Sequence, residues 1–330
     1  MKALLSKTPG GTGQLVLEDI GAPTAGPGEV VISVKAVGVN FPDTLLIEDL
    51  YQLKPERPFS PGGEVSGVIK DVGRDVRNLK VGQHVVSACG WGGMREELAI
   101  DARRCIPIAS DIPFEQAAGL MNTYGTSHYA LARRADTKSG ETLLVLGAAG
   151  GVGLAAVEIG KAMGLNVIAA CSTQEKVDLC LSKGADVGLV YDRGPLDRDQ
   201  QKAFSTGIKK ASGGGVDIIY DAVGGDYAEP AVRAMNWAGR YLVIGFAAGI
   251  PKLPLNLMLL KSCEIRGVFW TAPVSSDPTA IESDLIEVLA LYQAGKIKPH
   301  ISEIFPLECG GEAIQRLIDR KAQGKVVVRL

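Results

Sequence analysis

The hydrophobic positions of this chain change their spacing about one third of the way along it. Before about residue 110, short apolar runs rich in β-branched residues are separated by Gly and Pro, most clearly at 29–37, 63–69 and 84–88. Short strands separated by frequent turns are typical of sandwiches and barrels. This part therefore predicts a mainly β domain built as a partly closed barrel.

From about residue 115 onward, the chain alternates between strand-like and helical patterns. A helical region covers 115–134, with an interruption predicted near 122–125. Apolar strand-like runs follow at 143–146, 166–171, 187–191, 216–220, 241–245 and 262–270. Repeated β-α units require parallel strands joined by right-handed crossovers. The second part therefore predicts an α/β fold with a doubly wound parallel sheet.

The C-terminal segment returns to mixed short elements. Helices are predicted near 280–294 and 310–322, and extended chain at 304–307 and 325–328. A chain of 330 residues exceeds the usual size of one core, so two domains are expected. We expect the tail to return to the first domain. The predicted division is a discontinuous β domain at 1–121 and 271–330, with the sheet domain inserted at 122–270.

The strongest chemical signal is a strand, a glycine-rich turn and a helix in direct succession. Four apolar residues end at Leu146, and the sequence from Gly147 to Gly153 leads into an Ala-rich segment. This order aims free backbone N–H groups and the positive end of a helix dipole at one point, where a pyrophosphate can sit. Gly150 lets the backbone approach the phosphates, and Gly153 lets the helix pack on the strand. The alternative is an ordinary glycine-rich turn, since Ala148 replaces the first glycine of the usual motif.

The residues after the next strand favour NADPH over NADH. NAD sites usually place a carboxylate about 20 residues past the glycines, where it bonds the ribose 2′-hydroxyl. Here the strand ends in Cys171, Ser172 and Thr173, with no carboxylate at its tip. Ser172 can donate a hydrogen bond to a 2′-phosphate, and Lys176 supplies a positive charge. The alternative is that Lys176 is one solvated charge on a helix.

Composition and charge exclude several classes of function. The chain has 35 Lys and Arg against 37 Asp and Glu, so its net charge of −2 gives no electrostatic case for nucleic acid or anionic membrane. No run approaches the roughly 20 apolar residues of a membrane span, and the N-terminal apolar run is too short for a signal peptide. The six cysteines form no C-x-x-C pair, and no His stands at ligand spacing from them. We therefore expect a cytoplasmic protein with reduced thiols and no metal site.

Seven segments spread over the whole chain carry a family resemblance: 38–43, 61–68, 123–131, 147–153, 220–225, 239–246 and 320–328. The chain resembles the medium-chain dehydrogenase/reductase superfamily, and within it the zinc-independent quinone oxidoreductases of the zeta-crystallin type. The resemblance implies a Rossmann sheet for NADPH inserted into a discontinuous GroES-like substrate domain. A shared fold does not by itself fix the substrate.

The resemblance also marks candidate cofactor residues. Gly150, Gly151 and Val152 would present backbone to the pyrophosphate. Ser172, Lys176, Tyr191 and Arg320 match the 2′-phosphate pocket of the family. The remaining candidates are expected near the nicotinamide: Thr126, Tyr129, Gly245, Phe246 and Phe269. For the two phenylalanines, plain core packing is an equally good interpretation.

Compared with the zinc alcohol dehydrogenases of the same superfamily, this chain lacks the cysteines that bind zinc. The region 38–40 stands where those enzymes carry an early metal-binding cysteine, and only Cys89 and Cys105 fall near their structural zinc loop. Two cysteines are too few for a tetrahedral site. Without a Lewis acid to bind an alkoxide, the expected substrates are electron-poor acceptors, which are quinones and α,β-unsaturated carbonyl compounds.

The resemblance places three candidate catalytic residues near the cleft: Asn40, Asp43 and Tyr51. We expect Asn40 and Tyr51 to polarise the acceptor oxygen while NADPH supplies hydride. Asp43 follows a proline, and capping a helix that starts at Thr44 is an equally good role for it. Two alternatives stay open, an enone or enoyl-thioester reductase and a non-catalytic, crystallin-like NADPH-binding protein.

The oligomeric state is also an expectation from the resemblance. Relatives pair the last strand of the sheet, here 264–269, across a two-fold axis. A homodimer through this edge would cover an exposed strand that otherwise risks non-specific pairing.

Overall fold

The computed structural model describes residues 1–272, 277 and 279–330, which form two compact units. Unit 1 comprises 1–122, 277, 279–285 and 299–330, and unit 2 comprises 123–272 and 286–298. The predicted division assigned the whole of 271–330 to the first domain. Of that range, 271–272 and 286–298 cluster with unit 2, and 273–276 and 278 lie outside the described residues.

Unit 1 is mainly β. Its strands are β1 Lys2–Ser6, β2 Leu15–Asp19, β3 Glu29–Val39, β4 Glu64–Val72, β5 His84–Ser87, β6 Glu97–Asp101, β7 Cys105–Pro107, β14 Ile301–Pro306 and β15 Lys325–Arg329. Its helices are α1 Phe41–Ile47, α2 Phe114–Ala117 and α10 Gly310–Ile318. Strands β1 and β2 form an antiparallel pair, and the larger sheet has the order β14-β15-β3-β4-β5-β7.

The long strand β3 organises this sheet. Its first half pairs with β6, its second half pairs with β15, and β4 runs along its other side. Val30, Ile32, Val34 and Val37 of β3 are buried in one apolar cluster, to which both chain ends contribute. The β-branched residues of this run fit a pleated, buried surface, which explains why the sequence pattern alone predicts the strand.

Unit 2 contains a six-stranded sheet in the order β10-β9-β8-β11-β12-β13, with every neighbouring pair parallel. The strands are β8 Thr142–Leu146, β9 Asn166–Cys171, β10 Val187–Val190, β11 Val216–Asp221, β12 Met235–Val243 and β13 Glu264–Gly267. Residues 143–146 of β8 are fully buried. The strand order reverses between β8 and β11, which is the position where α/β sheets bind ligands.

Among the described residues, six further α-helices lie wholly or mostly in unit 2, and a seventh, α9, starts in unit 1 and continues into unit 2. They are α3 Met121–His128, α4 Gly151–Ala162, α5 Gln174–Ser182, α6 Arg198–Ser212, α7 Ala228–Arg233, α8 Asn256–Lys261 and α9 Glu282–Gln293. The predicted α/β class, with a parallel Rossmann-like sheet and a separate, mainly β unit, is confirmed.

The interruption predicted near 122–125 is wrong. The break lies at 118–120, between α2 and α3, and residues 122–125 continue inside α3. Gly125 is helical because it packs against an aromatic ring: a Cβ there would lie 2.4 Å from Trp270. Tertiary packing therefore overrides the low helix propensity of glycine at this position.

Candidate functional site

The turn between β8 and α4 has the geometry of a phosphate-binding loop. Gly147 adopts a positive φ of 70°, and α4 begins at Gly151 with no side chain capping its first turn. The first amides of an α-helix have no partner inside the helix, so they remain available to an anion. A backbone cradle for a diphosphate therefore stands at the C-terminal end of β8.

The glycines of this turn serve two different purposes. A Cβ on Gly153 would lie 2.3 Å from the carbonyl oxygen of Gly147 and 2.8 Å from Cα of Ala148, so the predicted close packing at Gly153 is confirmed. A Cβ on Gly150 would meet only the Gly147 oxygen, at 3.4 Å, an ordinary contact. The chain itself does not require glycine at position 150. Its absence of a side chain leaves space on the open face of the turn.

Helix α3 fixes the first turn of α4 from the side. The Ser127 hydroxyl lies 2.9 Å from the Val152 carbonyl oxygen, to which it can donate, and 2.9 Å from the Tyr220 hydroxyl. The candidates Thr126 and Tyr129 are half-buried, and Tyr129 begins a π-helical stretch, Tyr129–Arg134. π-Helical turns occur frequently at functional sites because they re-aim side chains out of the regular spiral.

The ends of β9 and β10 hold three of the residues assigned to a 2′-phosphate. Ser172 and Lys176 are half-buried, and the Tyr191 amide donates to the Cys171 carbonyl oxygen at 2.9 Å. The Tyr191 ring packs against those of Tyr227 and Phe204, with centroids 4.9 and 5.5 Å away. Burial raises the pKa of the Tyr191 phenol, so this hydroxyl stays protonated.

A second cation at this place was missed by the sequence reasoning. Burial lowers the pKa of Lys176, and the charge of Arg193 lowers it further. Arg193 stands two residues after Tyr191 and is exposed. A search for cations just after β10, as well as after β9, could have found it. The candidate Arg320 belongs to unit 1, directly after α10, where it adopts a positive φ of 56°.

The aromatic candidates at the ends of β12 and β13 are not core residues. Phe246 follows β12 and is 44% exposed, and Phe269 follows β13 and is 43% exposed. The core-packing alternative for these two side chains is therefore wrong. Gly245 donates its amide to the Asp221 carbonyl oxygen at 3.2 Å, which ties the end of β12 to the end of β11.

In unit 1, Asn40 lies in a buried polar network. Its Nδ2 donates to the Gly38 carbonyl oxygen at 3.1 Å and to Glu64 Oε1 at 2.8 Å. Its Oδ1 accepts from Lys325 Nζ at 2.7 Å, and Lys325 also forms an ion pair with Glu64 Oε1. Both amide hydrogens of Asn40 are therefore used within the unit. Its Oδ1, which belongs to the capping box with Asp43 at the start of α1, can accept a hydrogen bond and cannot donate one.

Asp43 fixes the start of α1. Its Oδ2 accepts the Asn40 amide and its Oδ1 accepts the Gly62 amide, each at 2.8 Å. The helix starts at Phe41, so the expected start at Thr44 is wrong, and Asp43 stands in the first turn with Asn40 as the N-terminal cap. Full burial raises the pKa of Asp43 to about 6, although both amide hydrogen bonds oppose that shift.

Tyr51 lies shortly after α1 and is partly exposed. Partial burial raises the pKa of its phenol, and the charge of Asp43 acts in the same direction. Tyr51 therefore remains a hydrogen-bond donor through neutral and mildly alkaline pH. It is the candidate in unit 1 that keeps both solvent access and an acidic proton.

Comparison with known proteins gives the family. Residues 26–110 match the family described as alcohol dehydrogenase GroES-like domain, and residues 151–290 match zinc-binding dehydrogenase. Quinone oxidoreductase-like protein 2 of Bos taurus is 36% identical over 318 residues, which cover 96% of this chain and 89% of that protein. The chain belongs to the quinone oxidoreductase-like proteins of the medium-chain dehydrogenase/reductase superfamily.

Solved structures of this superfamily align over the full chain. The mycobacterial protein Rv1454c, solved in complex with NADPH, has a TM-score of 0.91 at 29% identity and is covered completely. Escherichia coli quinone oxidoreductase, also solved with NADPH, has a TM-score of 0.88 at 26% identity, again over both full chains. The predicted membership of the quinone oxidoreductase group is confirmed.

One of the two matching families is described by zinc binding, which makes the metal-ligand residue types of this chain relevant. Burial raises the pKa of Cys89 and of Cys105 to about 12 each. Glu64 is engaged by Lys325. Among the described residues, no three His, Cys, Asp or Glu side chains lie close enough together to hold a metal ion.

Within the same described part of the chain, no helix is both long enough and apolar enough to cross a bilayer.

Proposed function

We propose that this oxidoreductase binds NADPH through unit 2 and transfers hydride to quinones or related electron-poor carbonyl compounds. The observation that carries the proposal is the phosphate-binding turn after β8, followed by a β9 end whose tip has no carboxylate and by Lys176 and Arg193 nearby. The nearest carboxylate in sequence, that of Glu175, lies in the first turn of α5 and acts on the Lys176 charge. A carboxylate would repel a 2′-phosphate, whereas two cations and the hydroxyls of Ser172 and Tyr191 favour it. The NADPH complexes of two relatives support the same cofactor.

The cofactor assignment makes a first prediction. Lys176→Ala and Arg193→Ala are each expected to weaken NADPH binding about 10-fold and to leave NADH binding unchanged, because each removes a charge-assisted contact with the 2′-phosphate alone. The same loss is expected for Arg320→Ala. Fluorescence titration with both nucleotides measures the effect. Lys202→Ala, which removes an exposed lysine of α6, is the matched control. An unchanged NADPH to NADH preference in all three variants would contradict the pocket.

The residues of unit 1 have separate roles in the proposed chemistry. NADPH, when bound, supplies the hydride, and a quinone then takes up one proton for each electron pair it receives. Tyr51 donates the hydrogen bond and then the proton to the developing oxygen anion, and solvent reprotonates it. Asn40 can act only as an acceptor, through Oδ1, since Glu64 and Gly38 hold its amide hydrogens. Asp43 positions Asn40 and Gly62 and touches no reactant.

Tyr51→Phe therefore tests the chemistry. Removing the phenol is expected to lower kcat about 100-fold, within the usual range for a general acid, with little change in the Kd for NADPH. Because the pKa of Tyr51 is raised above its ordinary value, the wild-type rate should not fall from phenol ionisation below about pH 10. Steady-state rates from pH 6 to about pH 10 measure both effects. A kcat equal to that of the wild type would remove Tyr51 from the mechanism.

The acceptor class is decided by parallel assays of NADPH oxidation with a para-quinone, an ortho-quinone, a simple enone and an enoyl-CoA. Turnover on the quinones alone supports the proposal. Turnover on the enone or thioester keeps the cofactor pocket and changes the reaction to double-bond reduction. Tight NADPH binding with no turnover on any of these acceptors would favour a non-catalytic binding protein.

We also propose a homodimer through the edge of the sheet in unit 2. Strand β13 lies at this edge, as the sequence predicts, and exposes Ile265. Leu259 of α8 is 79% exposed, and Leu255 and Leu260 are exposed beside it in sequence. Leu259→Glu is expected to shift the protein towards a monomer in sedimentation velocity runs. Val81→Glu, at an exposed apolar position of unit 1, should not, and equal behaviour of the two variants would argue against this interface.

A further inference from the structure

The connection from β5 to β6 in unit 1 carries a cavity that the proposed reaction does not use. Gly90 and Gly92 adopt positive φ values of 82° and 97°, which turn the chain sharply and hold Trp91 between them, 39% exposed. The cavity beside this turn has a volume of about 240 Å³. That size suits a ligand smaller than a typical drug-sized molecule. We call it the Arg95 cavity, lined by Trp91, Arg95, Leu98, Ile100 and Arg104.

The guanidinium of Arg95 has no carboxylate partner in the part of the chain that the structure describes. Among the described residues, no hydrogen bond or ion pair involves its side chain, and its Nε is buried without a partner. Burial lowers the pKa of Arg95, and no carboxylate opposes that shift. An arginine in a protein is always charged, so leaving it half-buried and unpaired destabilises the fold. A ligand that carries a negative charge would supply the missing partner of the Arg95 guanidinium.

A second guanidinium group, that of Arg104, lines the same cavity. Arg104 donates one hydrogen bond, from Nη2 to the Ala88 carbonyl oxygen at 2.6 Å, and its Nε is also buried without a partner. Asp101, whose pKa the charge of Arg104 helps to lower, is already bound by Arg103. The thiol of Cys89 is neutral. The cavity therefore holds two positive charges and no compensating negative one among the residues that line it.

The remaining walls are apolar and aromatic. Leu98 and Ile100 of β6 are buried there, and the Trp91 indole stands at the rim. Two guanidinium groups recognise a carboxylate, and an indole with two aliphatic side chains recognises a flat ring. We propose that the Arg95 cavity binds a small aromatic carboxylate of one ring, with its carboxylate on Arg95 and Arg104 and its ring against Trp91 and the β6 side chains. The proposal does not depend on the proposed hydride transfer, although Cys89 of this cavity contacts Gly62, whose amide Asp43 accepts.

Stability measurements distinguish a ligand-binding arginine from a structural one. In the protein without ligand, Arg95→Gln is expected to leave the midpoint of thermal unfolding unchanged or to raise it, because the variant removes an unpaired charge. Adding benzoate should raise the midpoint of the wild type and not that of Arg95→Gln. A lower midpoint in Arg95→Gln without ligand would show that the guanidinium stabilises the fold, which would overturn the proposal.

Calorimetric titration of the full chain with benzoate tests binding directly. We expect a Kd on the order of 1 mM or below, as for other single-ring ligands, weakening as salt is added. Arg95→Gln should weaken it at least about 10-fold, and Arg77→Gln, at an exposed arginine of the same unit outside the cavity, should leave it unchanged. Three results would overturn the proposal: no heat at about 10 mM benzoate, equal affinity for inorganic phosphate, or equal losses in the two variants.

Discussion

Gly153→Ala is expected to destabilise the protein by about 3 kcal/mol, because the new Cβ would overlap backbone atoms of the preceding turn. The overlaps are with the Gly147 carbonyl oxygen at 2.3 Å and with Cα of Ala148 at 2.8 Å. Neither is the end of a flexible side chain, so α4 must move away from β8. Urea denaturation measures the loss, and a fluorescence titration should show NADPH binding weakened at least about 10-fold, since a 1 Å displacement of a binding group has effects of this size or larger.

Gly150→Ala, three residues earlier, is the matched comparison for that variant. Its Cβ would make only an ordinary contact, so we expect a change in stability of no more than about 0.5 kcal/mol. NADPH binding should nevertheless weaken, because the methyl group would stand where the diphosphate approaches the backbone. The two glycines of this turn would then have different roles: Gly153 is needed for the packing of the fold, and Gly150 is needed for the approach of the ligand. If both variants unfold at the same urea concentration, the packing role of Gly153 is wrong.

Lys325→Met is expected to lower the stability of unit 1 by about 3–5 kcal/mol, since it leaves the buried Glu64 carboxylate without its cation. Glu64 and Lys325 are both almost completely inaccessible to solvent. The double variant Glu64→Gln/Lys325→Met should recover much of the loss, because no charge then remains buried. A double-mutant cycle from urea unfolding measures this coupling.

The control for that cycle is the surface pair of Lys70 and Glu97 in the same unit. Lys70 is more than half exposed, so Lys70→Met should change the stability by less than about 1 kcal/mol. A loss for Lys325→Met as small as that for Lys70→Met would mean that Glu64 finds another partner or takes up a proton.

The part of the site that sequence could predict is the part built from neighbouring residues. The turn at 147–153 and the missing carboxylate after β9 are local features, and periodicity locates the strands beside them. The partners of Asn40 are different. Lys325 lies 285 residues further along the chain, and no spacing rule connects the two. The sequence does not show whether the hydrogen-bond donors of a polar side chain are already engaged by other residues of the fold.

Predictions that depend on tertiary packing were less accurate. The residues at 122–125 look like a helix interruption because Asn, Thr and Gly have low helix propensity, yet Trp270 makes the glycine fit. For Phe246 and Phe269, core packing is only the alternative to the predicted nicotinamide contact, and their substantial exposure contradicts that alternative. In each case the deciding contact, or its absence, comes from chain segments far apart in sequence.

The position of β15 between β14 and β3 has a consequence for the order of events during synthesis. The ion pair between Glu64 and Lys325 cannot form until Lys325, which lies 261 residues later in the chain, has left the ribosome. At roughly 5–20 residues per second, that interval lasts about 10–50 s. All the strands of the parallel sheet in unit 2 emerge during this time, so that sheet can form first. The N-terminal strands meanwhile have an incomplete sheet and a carboxylate without its cation, which makes them the segment most in need of chaperone protection on the nascent chain.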